Sequence, residues 1–255
     1  MKNTKIEWCD HTVNFWWGCT EVSEACQNCY AREIAKRFKV DCWGDKPRHF
    51  RFEKAIEEVR KLNASAKRRH VVEMVFVNSM SDFFDGNVSD GIRLSLWRLF
   101  KECENLCFMI LTKRAQHFRN HFRTYGSDIP QNVHFGFTAE NQARFNERMS
   151  VLDGLGVRVF LSCEPLIDLI TISPNYAEKI DWVIVGGERC APSRARSCRE
   201  WQVKRLFEAC RKFGIPFFFK QCGTNWITFD GNESVLKVKE YPAWHIKESQ
   251  NEKLL

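Results

Sequence analysis

Three cysteines stand close together in Gly18-Cys19-Thr20-Glu21-Val22-Ser23-Glu24-Ala25-Cys26-Gln27-Asn28-Cys29-Tyr30, a C-x6-C-x2-C pattern. Three thiolates from one loop can hold three irons of a [4Fe–4S] cubane and leave the fourth iron open to a small ligand. Zinc is the competing occupant. A closed zinc site takes four ligands, and Cys9 or His11 could supply the fourth. Spacing alone leaves both occupants open, beside the third option of unligated thiols.

Other polar residues follow short apolar runs. Ser79, Ser81 and Asp82 follow the run at 75–78, and Lys113 and Arg114 the run at 108–112. Thr138 and Glu140 follow 133–137, Glu164 follows 157–161, Gly186, Gly187 and Glu188 follow 182–185, and Lys220 and Gln221 follow 216–219. The runs are near-continuous in apolar residues, the pattern of parallel strands covered on both faces. Helical patterns separate them at 53–69, 114–123, 140–153 and 199–213, with Ser89 as an N-cap of one more and Gly214-x-Pro216 as a stop. Counting the segment before Cys19, about seven strands alternate with helices, an α/β pattern. It predicts a parallel, TIM-like (β/α) barrel, full or partial; no glycine-rich turn after the first strand favours a dinucleotide-binding open sheet. In such a barrel the active site lies at the C-terminal strand ends, so six polar strand ends face the cysteine loop. Beyond Cys222, apolar segments at 226–229 and 235–238 flank Asp230-Gly231 and predict a C-terminal β-hairpin extension. The expected division is a barrel over 1–222, with its loop at 18–30, and a hairpin and tail over 223–255 packed on it.

The bulk properties narrow the setting. A chain of 255 residues with 44% apolar and 28% charged residues suits one barrel-sized domain. No secretory h-region and no membrane-length apolar run are present, so a cytoplasmic protein without membrane contact is expected. Twelve cysteines in a reducing compartment read as metal ligands or buried thiols, not disulfides. Cys103, Cys107 and Cys210 read as core residues. Cys163, Cys190, Cys198 and Cys222 follow strands on the mouth side, as ligands of a second cluster or as unrelated thiols. The net charge of +7 is concentrated: residues 32–70 carry 13 Lys/Arg against 6 Asp/Glu, and 194–220 carry 8 against 2. Such stretches suit a polyanion or an ordinary solvated helix. Trp43, His49, Phe50 and Phe52, interleaved with Lys46, Arg48 and Arg51, could stack on bases or pack as a loop across the barrel.

The chain resembles an uncharacterised phage and bacterial protein family defined by this three-cysteine loop. The resemblance covers most of the chain and rests on Ile6-Glu7-Trp8, Asn14, Gly18-Cys19-Thr20, Cys26-x-x-Cys29-Tyr30-Ala31, Ser79-Met80-Ser81-Asp82, Leu111-Thr112-Lys113-Arg114, Glu164-Pro165-Leu166, Gly186-Gly187-Glu188 and Phe219-Lys220-Gln221. That family looks like a divergent branch of the radical S-adenosylmethionine superfamily. The superfamily loop is usually C-x3-C-x2-C, three residues shorter in the first gap. An aromatic residue usually precedes its third cysteine; here Asn28 does, and Tyr30 follows. Its Gly-Gly-Glu usually ends the second strand, not the sixth.

The resemblance implies a [4Fe–4S] cluster on Cys19, Cys26 and Cys29, with S-adenosylmethionine on the open iron. It implies a radical enzyme that needs an electron donor to the cluster and acts on a nucleic acid or nucleotide. Tyr30, Ser79, Asp82, Thr138, Glu140, Gly186 and Gly187 become candidates for holding the cofactor. Glu164, Glu188, Lys113, Arg114 and Lys220 remain for the substrate, where three cations suit a phosphate or carboxylate. Two rival readings stay open: a zinc- or Fe–S-stabilised module that binds nucleic acid or protein, and a metal-dependent nucleic-acid hydrolase.

Overall fold

The computed structural model describes residues 4, 6–229, 231 and 233–245. Strand β1 (His11–Val13) is followed by β2 (Trp16–Trp17), helix α1 (Tyr30–Arg37) and β3 (His49–Phe50), which pairs antiparallel with β2. Then come α2 (Phe52–Arg68), β4 (Glu73–Val77), α3 (Asp90–Glu102), β5 (Leu106–Thr112) and α4 (Ala115–Tyr125). Next are β6 (Val133–Thr138), α5 (Gln142–Ser150), β7 (Val159–Cys163), the single turn α6 (Pro174–Ala177) and β8 (Ile180–Gly186). The chain continues through β9 (Ser197–Arg199), α7 (Glu200–Phe213), β10 (Phe217–Gln221) and β11 (Asn225–Ile227).

Seven strands form one parallel sheet in the order β1-β4-β5-β6-β7-β8-β10. The sheet curls into a half-barrel whose first and last strands do not pair, so the partial form of the expected TIM-like barrel is the one adopted. Alternate residues divide between its faces. Val75, Val77, Phe108, Ile110, Phe135 and Phe137 pack outward against the helices. There α2 presents Ala55, Val59, Leu62 and Ala66, one stripe at helical spacing. Met74, Phe76, Cys107, Met109, Phe160, Trp182, Ile184 and Phe218 form a second cluster on the concave face. Trp8 closes on Phe76 and Trp182 from below, and Trp244 stacks on His134 at the start of β6 with ring centroids 3.9 Å apart. The bottom of the half-barrel is therefore filled by rings, and the polar strand ends stand at its other end.

Helix boundaries lie within a few residues of expectation. Ser89 sits at the N-cap of α3, but its hydroxyl makes no capping hydrogen bond. Gly214 ends α7 in the left-handed conformation, φ +66°. The basic stretch 32–70 is not one surface. Lys67, Arg68 and Arg69 lie where α2 runs into β4, at the bottom, whereas Arg32–Lys54 flank the mouth.

The expected C-terminal hairpin does not form. Its first half becomes β11, which pairs in parallel with Ser197–Arg199. Its second half is a 3-10 helix, Glu233–Lys237. The turn residue Asp230 lies outside the described residues. The chain then runs antiparallel along β10: Phe219 N–H donates to Val238 O at 2.9 Å and Glu240 N–H to Phe217 O at 3.0 Å. The exposed edge of β10 offered unpaired backbone groups, and pairing with them outweighed a local hairpin.

Candidate functional site

The cysteine loop arrives at the mouth through Asn14 and β2. Asn14 Oδ1 accepts from Met80 N–H at 2.8 Å and its amide contacts the Ser79 hydroxyl, which fixes the first strand's exit to that of β4. Gly18 N–H donates to Met80 O at 3.1 Å. Gly18 has φ +104°, and a Cβ there would sit 2.0 Å from the Cys42 carbonyl oxygen. Only glycine permits this close approach. Gly18→Ala is therefore expected to cost about 2 kcal/mol or more, from backbone strain and the clash together. Thermal unfolding checks it, and an unchanged midpoint contradicts it.

All three cysteines are partly exposed free thiols. Cys26 lies in a one-turn 3-10 helix, Glu24–Cys26, and Cys29 N–H donates to Cys26 O at 3.3 Å just before α1 begins. The Cys19 thiol is pushed up to about 12 by burial, assisted by Asp82 and opposed by Arg114. A metal bound there would have to displace its proton.

Several arginines pin the loop or the segment it packs on, among them Arg32, which donates to Gln27 O at 2.7 Å. Arg114, itself buried, places Nη1 3.4 Å from Cys19 Sγ and donates from Nη2 to Thr20 O at 3.0 Å. Arg144 forks onto the Glu24 carboxylate at 3.0 and 3.1 Å. Arg196 donates to Glu24 O at 2.7 Å. Arg48 donates to Asp85 at 2.7 Å and to the carbonyls of Cys42, Gly44 and Lys46, bracing the segment against which Gly18 packs.

Several of the expected site residues are engaged in these clamps. Arg114, expected on substrate, holds the loop and also lies 3.4 Å from Asp82. Asp82 is buried and fully engaged: it accepts from Phe84 N–H, the Thr112 hydroxyl and Lys113 N–H at 2.9, 2.6 and 2.9 Å. Glu140 is buried in an ion pair with Arg148, Nη1 to Oε2 at 2.5 Å. Burial raises the Glu140 carboxyl, but Arg148, Ser23 and Lys113 outweigh it and hold it below the ordinary carboxylate value. Glu188, expected on substrate, pairs with Arg196 and accepts from Asn28 Nδ2 of the loop at 3.1 Å. Gly186 and Gly187 do not face an open cofactor space. A Cβ on Gly186 would meet Glu164 Oε1 at 2.5 Å, and one on Gly187 the Cys222 carbonyl oxygen at 2.0 Å.

Burial opposes ionisation of Glu188, but hydrogen bonds and charge from Arg196, with Asn28, hold its carboxyl below the ordinary value. The folded form thus binds its proton less well than the unfolded chain. The resulting stability is present above the unfolded value, near pH 4, and is lost as pH falls through the lower folded one. The stability gap between the parent and Glu188→Gln should be constant from neutral pH down to about pH 5 and shrink in stronger acid. Urea titrations at a series of pH values check this; a gap that widens in acid contradicts it.

The groups left facing the mouth are fewer. Lys220 Nζ pairs with Glu164 at 2.9 Å. Thr138 is buried, and its hydroxyl has no partner among the described residues. The Lys113 ammonium makes no hydrogen bond or ion pair among them. Tyr30 donates to Ser79 O at 2.7 Å while its ring is half exposed. A cleft of 720 Å³ adjoins the loop at Thr20 and Val22 and is lined also by Asn87, Lys113, His117 and Arg148. Asn14, Asn28, Arg48, Arg144, Arg148 and Arg196 were not singled out as site residues. Asn14 stood in the family motif, Arg48 and Arg196 lay within the basic stretches, and Arg144 and Arg148 lay on the helical pattern at 140–153.

The donor set fits a cluster in its chemistry: three thiols in one pinned loop, one against a guanidinium that can balance a thiolate. Among the described residues no three His, Cys, Asp or Glu side chains converge on one point, so the thiols are not gathered as they stand. A metal bound by them would have to supply the work of gathering them. A zinc site completed by His11 or Cys9 is not supported. Both are buried near the bottom of the half-barrel, where His11 Nε2 contacts Glu73 at 3.0 Å at the start of β4. Of the four further thiols considered for a second cluster, Cys163 and Cys198 belong to the hydrophobic core.

The fold and site thus define a parallel half-barrel carrying a pinned three-cysteine loop at its C-terminal mouth. The chain belongs to the protein family of unknown function DUF5131, whose model matches residues 3–252. No curated protein matches it in sequence. Among solved structures it is similar to a cysteine-to-serine variant of spore photoproduct lyase, with TM-score 0.52 and 10% identity over 88% of this chain and 78% of that one. That likeness is one of fold. No helix among the described residues is long and apolar enough to cross a membrane.

Proposed function

We propose that this protein is a radical S-adenosylmethionine enzyme that acts on a nucleic acid or nucleotide. The observation that carries the reading is the three-cysteine loop, pinned by arginines at the C-terminal mouth of a parallel half-barrel. The family motifs support it, and so does the half-barrel shared with a lyase named for a photoproduct.

Cys19, Cys26 and Cys29 would hold a [4Fe–4S] cluster with one iron left open. Such a group, reduced by an external electron donor, would supply one-electron reductive chemistry on the sulfonium of bound S-adenosylmethionine. The chain's own residues set the surroundings. Arg114 keeps a positive charge at Cys19 Sγ and fixes Thr20. Glu188 and Arg196 hold the other end of the loop through Asn28 and Glu24. Thr138, Ser79 and the Tyr30 ring offer polar and aromatic contact to a nucleoside, and Lys113 a free cation for its charged groups. The Glu164–Lys220 pair places a carboxylate and an ammonium on the concave face, where a substrate can bind or exchange a proton. The ring-filled bottom leaves the mouth as the entry.

The test is anaerobic reconstitution with iron and sulfide, reduction, and assay for 5′-deoxyadenosine. Product that requires both reductant and S-adenosylmethionine supports the reading. A reconstituted, reduced protein that forms none overturns it.

A further inference from the structure

The segments on either side of the cysteine loop build an exposed ledge beside the mouth. Trp17 of β2 directly precedes Gly18, and α1 starts directly after Cys29. At eight residues α1 is about 12 Å long, so Arg37, Phe38 and Lys39 stand roughly that far from the loop. Phe38 is 69% exposed and meets the Trp17 ring edge-on at 6.0 Å. Trp17 meets His49 at 6.3 Å, and the Arg51 guanidinium lies 5.5 Å over the Trp17 ring. Phe50, also exposed, stacks on Phe52 at 5.1 Å. A row of rings thus runs along the β2–β3 pair to the end of α1.

The charge around this row is largely positive. Lys36, Arg37, Lys39, Lys46 and Lys54 are exposed, against Asp41, Asp45 and Glu53. Lys36 and Lys46 have acidic neighbours, Glu33 and Asp41. Arg37, Lys39 and Lys54 make no ion pair or side-chain hydrogen bond among the described residues. Exposed rings beside unpaired cations match a strand that offers base faces and phosphates together. A duplex hides its base faces in the stack, so it could use only the cations.

We infer that this ledge, Phe38, Trp17, His49 and Phe50 with Arg37, Lys39 and Arg51, binds a single-stranded or unstacked nucleic-acid segment and leads it to the cysteine loop. Bases stack on the rings and phosphates meet the cations. The inference deepens the nucleic-acid reading above, yet strand binding does not require the cluster.

Fluorescence anisotropy with a labelled oligothymidylate and a duplex of equal length tests it on the full chain. The single strand should bind more tightly than the duplex, and more weakly as salt rises. Phe38→Ala should weaken it by about five- to hundredfold, the worth of one stacked base, and Phe38→Trp should restore it. Arg37→Gln with Lys39→Gln should flatten the salt dependence by about 1.4 in logarithmic slope, for two phosphates lost. All three side chains are exposed, so unchanged thermal unfolding is expected. Variants that bind like the parent overturn the inference, as does an equal preference for duplex. So does a homodimer that Phe38→Ala dissolves, with no strand bound. A parent that forms 5′-deoxyadenosine but binds no strand fells the ledge alone. Strand binding retained by the parent and by Cys26→Ala, with no 5′-deoxyadenosine from the parent, fells the radical reading and leaves the ledge standing.

Discussion

Cys19→Ala, Cys26→Ala and Cys29→Ala are each expected to emerge from anaerobic reconstitution without visible Fe–S absorbance and with 5′-deoxyadenosine at background. Each removes one of three protein ligands, and a cubane held by two thiolates is not retained on a partly exposed loop. Controls come from the same chain. Cys103, Cys163 and Cys210 are buried among apolar side chains. Burial pushes the thiols of Cys103 and Cys210 up to about 11 and about 12, and raises that of Cys163 well above its ordinary value. Cys163→Ala and Cys210→Ala should therefore keep the colour and the product while losing about 1 kcal/mol or more of stability to a small cavity. Absorbance, iron content and urea unfolding separate the two classes. Loop variants that keep the parent's iron, or core variants that lose it, would contradict the ligand assignment.

Arg148→Met is expected to be the most destabilising of the ion-pair variants, by about 3–5 kcal/mol. It leaves the fully buried Glu140 carboxylate without its cation and also strips a 2.6 Å donor from the Thr138 carbonyl. Glu140 holds more than one element. Its backbone oxygen accepts from Ile167 and Asp168 N–H at 2.8 and 3.2 Å, fixing the segment after β7. The variant's residual stability should recover in part toward acid, because protonating Glu140 removes the unpaired charge. Arg148→Met with Glu140→Leu should regain most of the loss, since an apolar pair of similar size needs no counter-charge. Denaturant unfolding of the single and double variants measures this. A double variant no better than the single one would contradict the account.

The fold was legible because its strands are buried on both faces and so read as unbroken apolar runs. β4 to β8 and β10 all fall on such runs, and Gly214 closed α7 where a left-handed stop was needed. Several short elements were not legible, β9 among them. Ser197–Arg199 has no apolar run, so the partner of Trp226 was invisible, and Asp230-Gly231 suggested a hairpin instead. The parallel pairing joins strands that lie on either side of α7 and β10 in the chain, which no local pattern reveals.

The site was half legible for a related reason. Strand-end position is written in the local pattern, and it identified Asp82, Glu140, Glu164, Glu188, Lys113, Arg114 and Lys220 as polar groups near the mouth. Which of them stay available depends on partners that no local pattern reveals. Arg148 and Arg196 each stand eight residues after the carboxylate they neutralise, while Arg114 reaches back across the fold to Cys19. Much of the polar rim is therefore a frame for the cysteine loop. Open chemistry narrows to the half-exposed Tyr30 ring, Lys113, Thr138 and the Glu164–Lys220 pair.

The central claim is that Cys19, Cys26 and Cys29 hold a redox-active cluster whose open iron takes S-adenosylmethionine. Electron paramagnetic resonance of the anaerobically reconstituted, reduced chain tests it most directly. The account predicts a reduced-cluster signal that changes when S-adenosylmethionine is added and is lost in Cys26→Ala. A colourless chain with stoichiometric zinc and no signal, or a cluster signal indifferent to S-adenosylmethionine, would contradict it.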